Sequence, residues 1–303
     1  MDRRSLLLLA AVLALLTGVA AFAVRRGARP TEERLLWPGA DAAKTTRIVI
    51  TSPSGRFELA RKDGRWELAS PVAFPADAGA VQPLLEKLPK VVLNGPLTES
   101  KARQNLFGLQ PEAAIRVQAD GGAPLDLQAG KAAPESESTY VRLGGSDAVY
   151  EARGLSRSDV ERSTADWLSK AVVAVPPAAL EHVVMKSTAA TVALAKSAAG
   201  WSLEGRSVSV STAPGTPFNV IQGSLADLQA DSVLLPPLPA LGKPVLEVRV
   251  RWTEKGAEQE VLLSAYPEKD GLVPLVKKGE ERVRFLVYPW RLDAFKKPAS
   301  EFH

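Results

Sequence analysis

The stretch IVITSPSGRFELARKDGRWEL, residues 48–68, is the most informative about the fold of this chain. Apolar and polar residues alternate along it, which is the period of a half-buried β-strand. Asp63-Gly64 separates two such runs, and an Asp-Gly pair in that place is a strong signal for a two-residue hairpin turn. The stretch therefore predicts antiparallel strands that are joined by a tight turn.

The same pattern returns 135 residues later as VVMKSTAATVALAKSAAGWSL, residues 183–203, with Ala199-Gly200 in place of the Asp-Gly turn. Three more pairs of segments correspond: IRV (115–117) with LEV (246–248), YVRL (140–143) with LVPL (272–275), and AVY (148–150) with VRF (283–285). The chain is therefore predicted to be α+β, with two tandem repeats at residues 35–172 and 178–303. Each repeat is expected to be an antiparallel β meander with two short helices.

An uncharged run of twenty residues, Ser5–Val24, precedes the repeats and is flanked by arginines. A helix of that length rises about 30 Å, enough to cross the hydrocarbon core of a bilayer. Residues 1–24 are interpreted as a transmembrane anchor and residues 25–34 as a juxtamembrane stalk. The chain would then be a single-pass protein of the inner (cytoplasmic) membrane with its globular part in the periplasm or extracytoplasmic space. A signal peptide cleaved after Ala23 is the alternative.

The distribution of charge argues against a nucleic-acid partner. The formal net charge is +4, but the first 29 residues contain five arginines and one aspartate, which leaves 33 basic and 33 acidic residues in the rest. A neutral globular part is not typical of a nucleic-acid surface. The chain also has no cysteine, which excludes disulfides, thiol catalysis and cysteine-ligated metals.

Four stretches carry a likeness to a known family: LLWPGADAAKTTRIVI (35–50), GRWELASPVAFPAD (64–77), NLFGLQP (105–111), and YVRLGGSDAVYEA (140–152) with DWLSKAVV (166–173). Their order and spacing resemble the bacterial domain-of-unknown-function family numbered 4340. The resemblance implies a single-span envelope protein that accompanies ABC-type transport systems, including those similar to gliding-motility auxiliary subunits. The family has no assigned activity, so the resemblance implies no catalytic residue.

The tryptophans are assigned mainly structural roles. Those within alternating strands or near a helix end are predicted to pack in the core: Trp66, Trp167 and Trp201. Trp37 lies near the stalk and is a candidate for contact with the membrane or a partner. Trp252 and Trp290 are less constrained by the pattern.

No metal site is predicted. His182 lies at the start of a predicted strand beside Glu181, and His303 is terminal. A metal site needs several converging ligands, and the sequence contains no HExxH pattern. Two lysine pairs are interpreted as solvated turn and tail charges: Lys277-Lys278 and Lys296-Lys297.

Three carboxylates are the sole candidates for acid/base chemistry: Glu135, Glu137 and Asp147, which flank one predicted hairpin. A Glu-Ser-Glu run in a Pro/Ser-rich loop is, however, typical of a solvated surface. The sequence also contains no GxSxG, GxxxxGK[ST] or GxGxxG motif. No catalytic, cofactor-binding or metal-ligating residue is therefore predicted, and the chain is expected not to be an enzyme.

Two functional hypotheses follow from the anchor, the repeats and the resemblance. The first is a non-enzymatic accessory or interaction subunit of an ABC-type transport system, with a protein partner in that complex. The alternative is a binding module for an envelope polymer such as peptidoglycan or another glycan, in which exposed aromatic side chains line a groove. A hydrolase is a third class, and it needs two carboxylates that face each other in a cleft.

Overall fold

The computed structural model describes residues 33–205 and 208–302. The interpreted anchor at residues 1–24, nearly all of the stalk, and His303 lie outside these residues. Within the described chain, no helix is both long enough and apolar enough to cross a membrane. The anchor therefore stays a prediction.

The described chain is mainly antiparallel β-sheet with few helices, which confirms the α+β class. The strands are β1 (Arg34–Leu35), β2 (Arg47–Ser52), β3 (Gly55–Lys62), β4 (Arg65–Ser70), β5 (Phe74–Pro75), β6 (Val92–Thr98), β7 (Ile115–Ala119), β8 (Leu125–Ala132), β9 (Ser138–Leu143), β10 (Val149–Arg153), β11 (Ala171–Val173), β12 (Leu180–Ser187), β13 (Thr191–Ser197), β14 (Gly200–Leu203), β15 (Val208–Ser209), β16 (Leu228–Gln229), β17 (Ser232–Leu234), β18 (Leu246–Glu254), β19 (Ala257–Ala265), β20 (Val273–Lys277) and β21 (Arg284–Val287). The α-helices are α1 (Ala78–Lys87), α2 (Arg157–Val160) and α3 (Pro217–Ala226). Short 3-10 helices are Leu88–Lys90, Lys101–Phe107, Thr164–Trp167, Pro177–Ala179, Pro289–Lys296 and Ala299–Glu301.

Contacts divide the chain into two compact units. The first unit extends to Arg56 and resumes from Gln82 to Glu161. The second unit comprises Phe57–Val81 and the chain from Arg162 onward. This division by contact differs from the division by sequence similarity, because Phe57–Val81 belongs to the second unit but lies within the predicted first repeat. The repeat boundaries at 35–172 and 178–303 stay a prediction.

In the first unit the strands run in the order β1-β6-β10-β9-β8-β7-β2, and neighbouring strands are antiparallel. Strands β7 to β10 therefore form a meander. Alternate residues face the core: on β8, Leu125, Leu127 and Ala129 are buried, while Asp126 and Gln128 between them are partly exposed. Burial of apolar surface contributes about 25 cal/mol per Å², so the alternation fixes which face of each strand turns inward.

In the second unit nine strands form one antiparallel sheet in the order β15-β14-β13-β12-β18-β19-β20-β21-β17. Helix α3 begins after Thr216 with Pro217 at its first position, where the missing N–H of proline costs nothing. The helix buries Phe218, whose ring centroid lies 4.4 Å from that of Trp201 on β14. This aromatic pair is part of the core of the second unit.

The hairpin turn predicted at Asp63-Gly64 is confirmed. Both residues adopt positive φ angles, 49° and 78°, as the common two-residue turn between antiparallel strands requires. In the corresponding hairpin of β13 and β14 the two-residue loop is Ala198-Ala199, one residue earlier than the predicted Ala199-Gly200. Gly200 there begins β14 with a φ of 111°.

Candidate functional site

The first unit contains a cleft of about 450 Å³, which we call the first-unit cleft. Its floor is formed by side chains from four neighbouring strands, and its wall is the segment from Lys101 to Ala114, which begins with a 3-10 helix. Sites for small molecules have volumes of about 300–1,000 Å³. The size of the cleft therefore fits a small molecule.

Strand register places four side chains in one line across the floor. The directly opposite pairs are Thr51 with Arg116, Arg116 with Gln128, and Gln128 with Arg142. Directly opposite residues of antiparallel strands point to the same face, with Cβ atoms roughly 4.5–5.5 Å apart. We call these four residues the polar row. The residues that alternate with them along each strand point into the core instead.

A close backbone approach holds the wall against the floor. A Cβ atom at Gly130 on β8 would clash with the carbonyl oxygen of Phe107, so glycine is the residue that fits there. Arg157 adds a clamp, because its guanidinium donates hydrogen bonds to the carbonyl of Gly130 and, at 3.1 Å, to that of Ala113. Arg157 is itself paired with Glu161 at 2.8 Å. These contacts position the side chains of the wall over the polar row.

The lining of the cleft is basic and rich in amides. Its cations are Lys101, Arg116 and Arg142, and its amides are Gln104, Asn105, Gln110 and Gln128. None of the described residues that line the cleft is acidic. The cleft therefore presents positive charge and hydrogen-bonding groups to whatever enters it.

One arginine of the polar row forms an ion pair with a carboxylate beside the cleft. Arg116 binds Asp126 through two hydrogen bonds, Nε to Oδ1 at 2.8 Å and Nη2 to Oδ2 at 2.5 Å. These bonds hold the pKa of the Asp126 carboxyl below its usual value, although partial burial opposes the shift. Asp126 is therefore a stable anion, and its partner Arg116 has little charge left for a ligand.

The second arginine of the row is less fully satisfied. Arg142 donates to Gln128 Oε1 at 2.6 Å and to the carbonyl of Ser146 at 3.3 Å, and it lies 3.6 Å from the half-exposed Asp147. Its Nε is buried and has no hydrogen-bond partner within the described residues. The same holds for Oε1 of Gln110 on the wall. Of the buried side-chain atoms without a partner in the described residues, these two belong to residues that line the cleft.

The structure separates Asp147 from the other two carboxylates considered in the sequence, Glu135 and Glu137. Glu135 and Glu137 precede β9 and Asp147 follows it, and a strand of six residues is about 20 Å long. Glu135 pairs instead with Arg153 at 3.1 Å. Asp147 pairs with the cations at the mouth and floor of the first-unit cleft.

Four tryptophans are buried. Trp66, Trp167 and Trp201 lie in the core, as predicted. Trp37 is also buried, and its Nε1 donates a hydrogen bond of 2.7 Å to the carbonyl of Ala123. Trp37 is thus a core residue of the first unit, which removes it as a candidate for contact with the membrane or a partner.

His182 forms a simple pair with a carboxylate. Its Nε2 lies 3.2 Å from Oε2 of Glu204, while the neighbouring Glu181 accepts a hydrogen bond from Thr253. Within residues 33–205 and 208–302, no group of three or more His, Asp or Glu side chains converges on a point that could hold a metal ion.

The second unit displays an exposed aromatic group at the start of its Pro289–Lys296 helix. Trp290 is 62% exposed and Tyr288 is 49% exposed, and the guanidinium of Arg291 lies 4.6 Å from the Trp290 ring centroid. We call Tyr288, Trp290 and Arg291 the Trp290 patch. Asp231 anchors the Trp290 patch. Its carboxylate accepts hydrogen bonds from Arg291 Nε at 2.8 Å, from Arg291 Nη2 at 2.7 Å and from the Tyr288 backbone N–H at 2.9 Å. These bonds, first the one from Arg291, lower the pKa of the Asp231 carboxyl.

No sequence pattern points to the polar row. Arg116, Gln128 and Arg142 each stand between apolar residues of a strand, which is the ordinary pattern of a solvent-facing side. The line they form depends on the register of three strand pairs, and the sequence of a single strand does not determine its register. Gln110 lies in the NLFGLQP segment. That segment carries the resemblance to the family, but it predicted no functional site.

The fold and its two units define an α+β protein dominated by antiparallel sheet. The model of the family described as Domain of unknown function (DUF4340) matches residues 66–244, more than half of the 303 residues. The chain belongs to this family. No curated protein and no solved structure matches the chain.

Proposed function

We propose that this chain is a non-enzymatic, membrane-anchored extracytoplasmic protein that acts as an accessory subunit of an ABC-type transport system. The uncharged run Ser5–Val24 supports an anchor in the inner membrane. Family membership supports the association, because members of this family look like single-span proteins that accompany such transporters. The globular units would present the surface that the transporter binds.

The proposal includes a tandem duplication of one sheet-forming unit. The order β6-β10-β9-β8-β7-β2 in the first unit repeats, strand for strand along the chain, as β17-β21-β20-β19-β18-β12 in the second. Strands β3-β4-β5 and β13-β14-β15 form a further matching set. Duplication is the simplest origin of two identical strand orders, and it supports the repeats inferred from the sequence.

The observation that carries the proposal is the Trp290 patch. Trp, Tyr and Arg are the residue types that dominate the binding energy of protein–protein interfaces. A largely exposed indole is also unfavourable in water, since its burial would contribute roughly 2–3 kcal/mol. The hydrogen bonds from the Arg291 guanidinium and the Tyr288 backbone N–H to Asp231 hold the Arg291 side chain and the backbone of the patch, so less conformational freedom is lost on binding.

A photo-crosslinking amino acid at position 290 tests the proposal in intact membranes. Mass spectrometry of the crosslinked products is expected to identify subunits of a transport complex. The matched control carries the same photo-crosslinker at Val220, which is 48% exposed on α3 of the same unit. The control is expected to give few of these products.

Three outcomes would overturn the proposal. Crosslinks from position 290 to cell-wall fragments would favour the alternative, an envelope-polymer binding module. Self-crosslinks alone, or equal crosslinking from positions 290 and 220, would show that the Trp290 patch is not the surface that binds a transporter.

A further inference from the structure

We propose that the first-unit cleft binds a small hydroxylated anion, that is, a sugar acid or a sugar phosphate. The inference rests on the polar row and the wall of the cleft, and it does not depend on the function proposed for the Trp290 patch. Two unpaired buried atoms and the charge of the lining carry it. Both atoms are closed to solvent, so the side chains of Arg142 and Gln110 must each turn slightly to meet a ligand or a water molecule in the cleft.

The first unpaired atom is a donor that lacks an acceptor. Arg142 Nε is a buried donor, and the other guanidinium nitrogens of Arg142 already bind Gln128 and Ser146. A buried charged donor without an acceptor costs more than a neutral one. A carboxylate or phosphate oxygen in the cleft would accept this hydrogen bond, and it would be a charge-assisted bond of the stronger kind.

The second unpaired atom is an acceptor that lacks a donor. Gln110 Oε1 is a buried acceptor on the wall, opposite in hydrogen-bonding sense to Arg142 Nε. A carboxylate, or the dianion of a phosphate ester, has no proton to give it at neutral pH. A hydroxyl group does, so a ligand that satisfies both atoms carries an anionic group and a hydroxyl group.

The charge of the lining favours the anion. Three cations face the cleft and none of its described lining residues is acidic. Arg116 is committed to Asp126, but Lys101 and Arg142 share Asp147 at the longer distances of 3.5 Å and 3.6 Å. Asp147 is 40% exposed, so these pairs are solvent-screened and weak. Positive charge is therefore left over at the mouth and on the floor.

Water is the competing occupant of the cleft. A water molecule both donates and accepts, so it would satisfy Gln110 Oε1 and Arg142 Nε without any ligand. Water does not compensate the charge of Lys101 and Arg142, whereas an anion does. Titration with anionic and neutral sugars separates the two occupants.

The test is isothermal titration calorimetry of the full chain in a mild detergent. The probes are D-glucuronate, D-glucose 6-phosphate, D-glucose and sulfate, which is an anion without a proton to donate at neutral pH. At least one of the two hydroxylated anions is expected to bind with a dissociation constant of about 1 mM or below, at least tenfold tighter than glucose and sulfate. Preference for glucuronate identifies a carboxylate site, and preference for glucose 6-phosphate identifies a phosphate site.

Two variants locate the binding in the first-unit cleft. Gln110→Leu and Arg142→Met are each expected to weaken binding of the preferred probe at least tenfold. Gln110→Leu removes an acceptor that has no partner among the described residues, so it should fold normally even if loss of the Arg142 hydrogen bonds disturbs the sheet. The matched control is Arg249→Gln, since Arg249 also projects from a strand and pairs with a carboxylate, Glu260, at 3.1 Å in the second unit.

Four results would overturn the inference. If none of the four probes binds, the cleft holds water. If glucose or sulfate binds as tightly as the hydroxylated anions, the site does not recognise both the anionic group and the hydroxyl group. If binding survives Gln110→Leu unchanged, or falls equally with Arg249→Gln, the ligand lies elsewhere.

Discussion

Two rows of side chains occupy the same position in their sheets but differ in charge. The polar row of the first unit is Thr51, Arg116, Gln128 and Arg142. The corresponding line across β12, β18, β19 and β20 of the second unit is Lys186, Glu247, Ser264 and Val276. In the second unit a cation and a carboxylate stand side by side, and their charged atoms lie 3.7 Å apart.

The comparison separates a solvated surface from a candidate site. The second row balances its own charge, as the outer face of a sheet commonly does. The first row contains two cations and an amide, of which Arg116 is paired with Asp126 beside the row and Arg142 keeps uncompensated charge, and a wall of chain lies over it. The same strand order therefore supports a different surface in each unit, because the residues that face outward do not decide the fold.

Displacing the wall of the first-unit cleft should have the largest effect. Gly130→Ala is expected to lower the free energy of unfolding by about 2–3 kcal/mol, because the added methyl group meets the carbonyl of Phe107. It should also abolish binding of the sugar probe. Urea denaturation measures the first effect and calorimetry the second.

The control for this variant lies in the second unit. Gly223 is inside α3, and a methyl group added there would meet no other atom within 4 Å, so Gly223→Ala should raise stability by up to about 1 kcal/mol. A loss of stability in both variants, or in neither, would mean that the wall is not held by the approach at Gly130.

Each unit has an aspartate bound by two nitrogens of one arginine. Replacing the more buried aspartate should lower the free energy of unfolding more than replacing the less buried one. Asp231→Asn is expected to cost about 2 kcal/mol, because the Asp231 side chain is 17% exposed and also accepts the Tyr288 N–H. Asp126→Asn should cost about 1 kcal/mol, since the Asp126 side chain is 30% exposed and Arg116 is 47% exposed. Denaturation at pH 7 measures both costs, and the reverse order would contradict the argument from burial.

Acid should lower the free energy of unfolding of both units, by less than the substitutions described above. Hydrogen bonds from arginine lower the pKa of Asp126 and of Asp231 in the folded state. Carboxylates of this kind contribute their full stability above the unfolded pKa of about 3.9, and they lose it as the pH falls through the folded value. The free energy of unfolding should therefore be level from pH 7 to about 5 and decline below about 4. The decline should be shallower in Asp231→Asn, and an unchanged slope would mean that another group dominates.

Prediction from sequence succeeded where the signal is local. The Asp63-Gly64 turn and the burial of Trp66 and Trp201 follow from alternation and from residue type, and all are present. It did not place Trp37, which stayed open as a candidate for contact with the membrane or a partner. Proximity to the stalk along the chain does not reveal that the Trp37 indole is buried and bonded to Ala123. The Trp290 patch likewise has no sequence signal, since its exposure depends on how its helix packs.

The strand pattern, the tight turn, the α+β class and the family of this protein can be predicted from the sequence, because they depend on residues close together along the chain. That Arg116, Gln128 and Arg142 stand in one line is visible in the folded structure but not in the sequence. The same is true of the packing of Phe57–Val81 as part of the second unit. The physical reason is that a strand shows the same alternation in every register, and a shift of one residue would turn its side chains to the opposite face. Pairing between distant strands, which no local pattern encodes, fixes the register and with it the cleft.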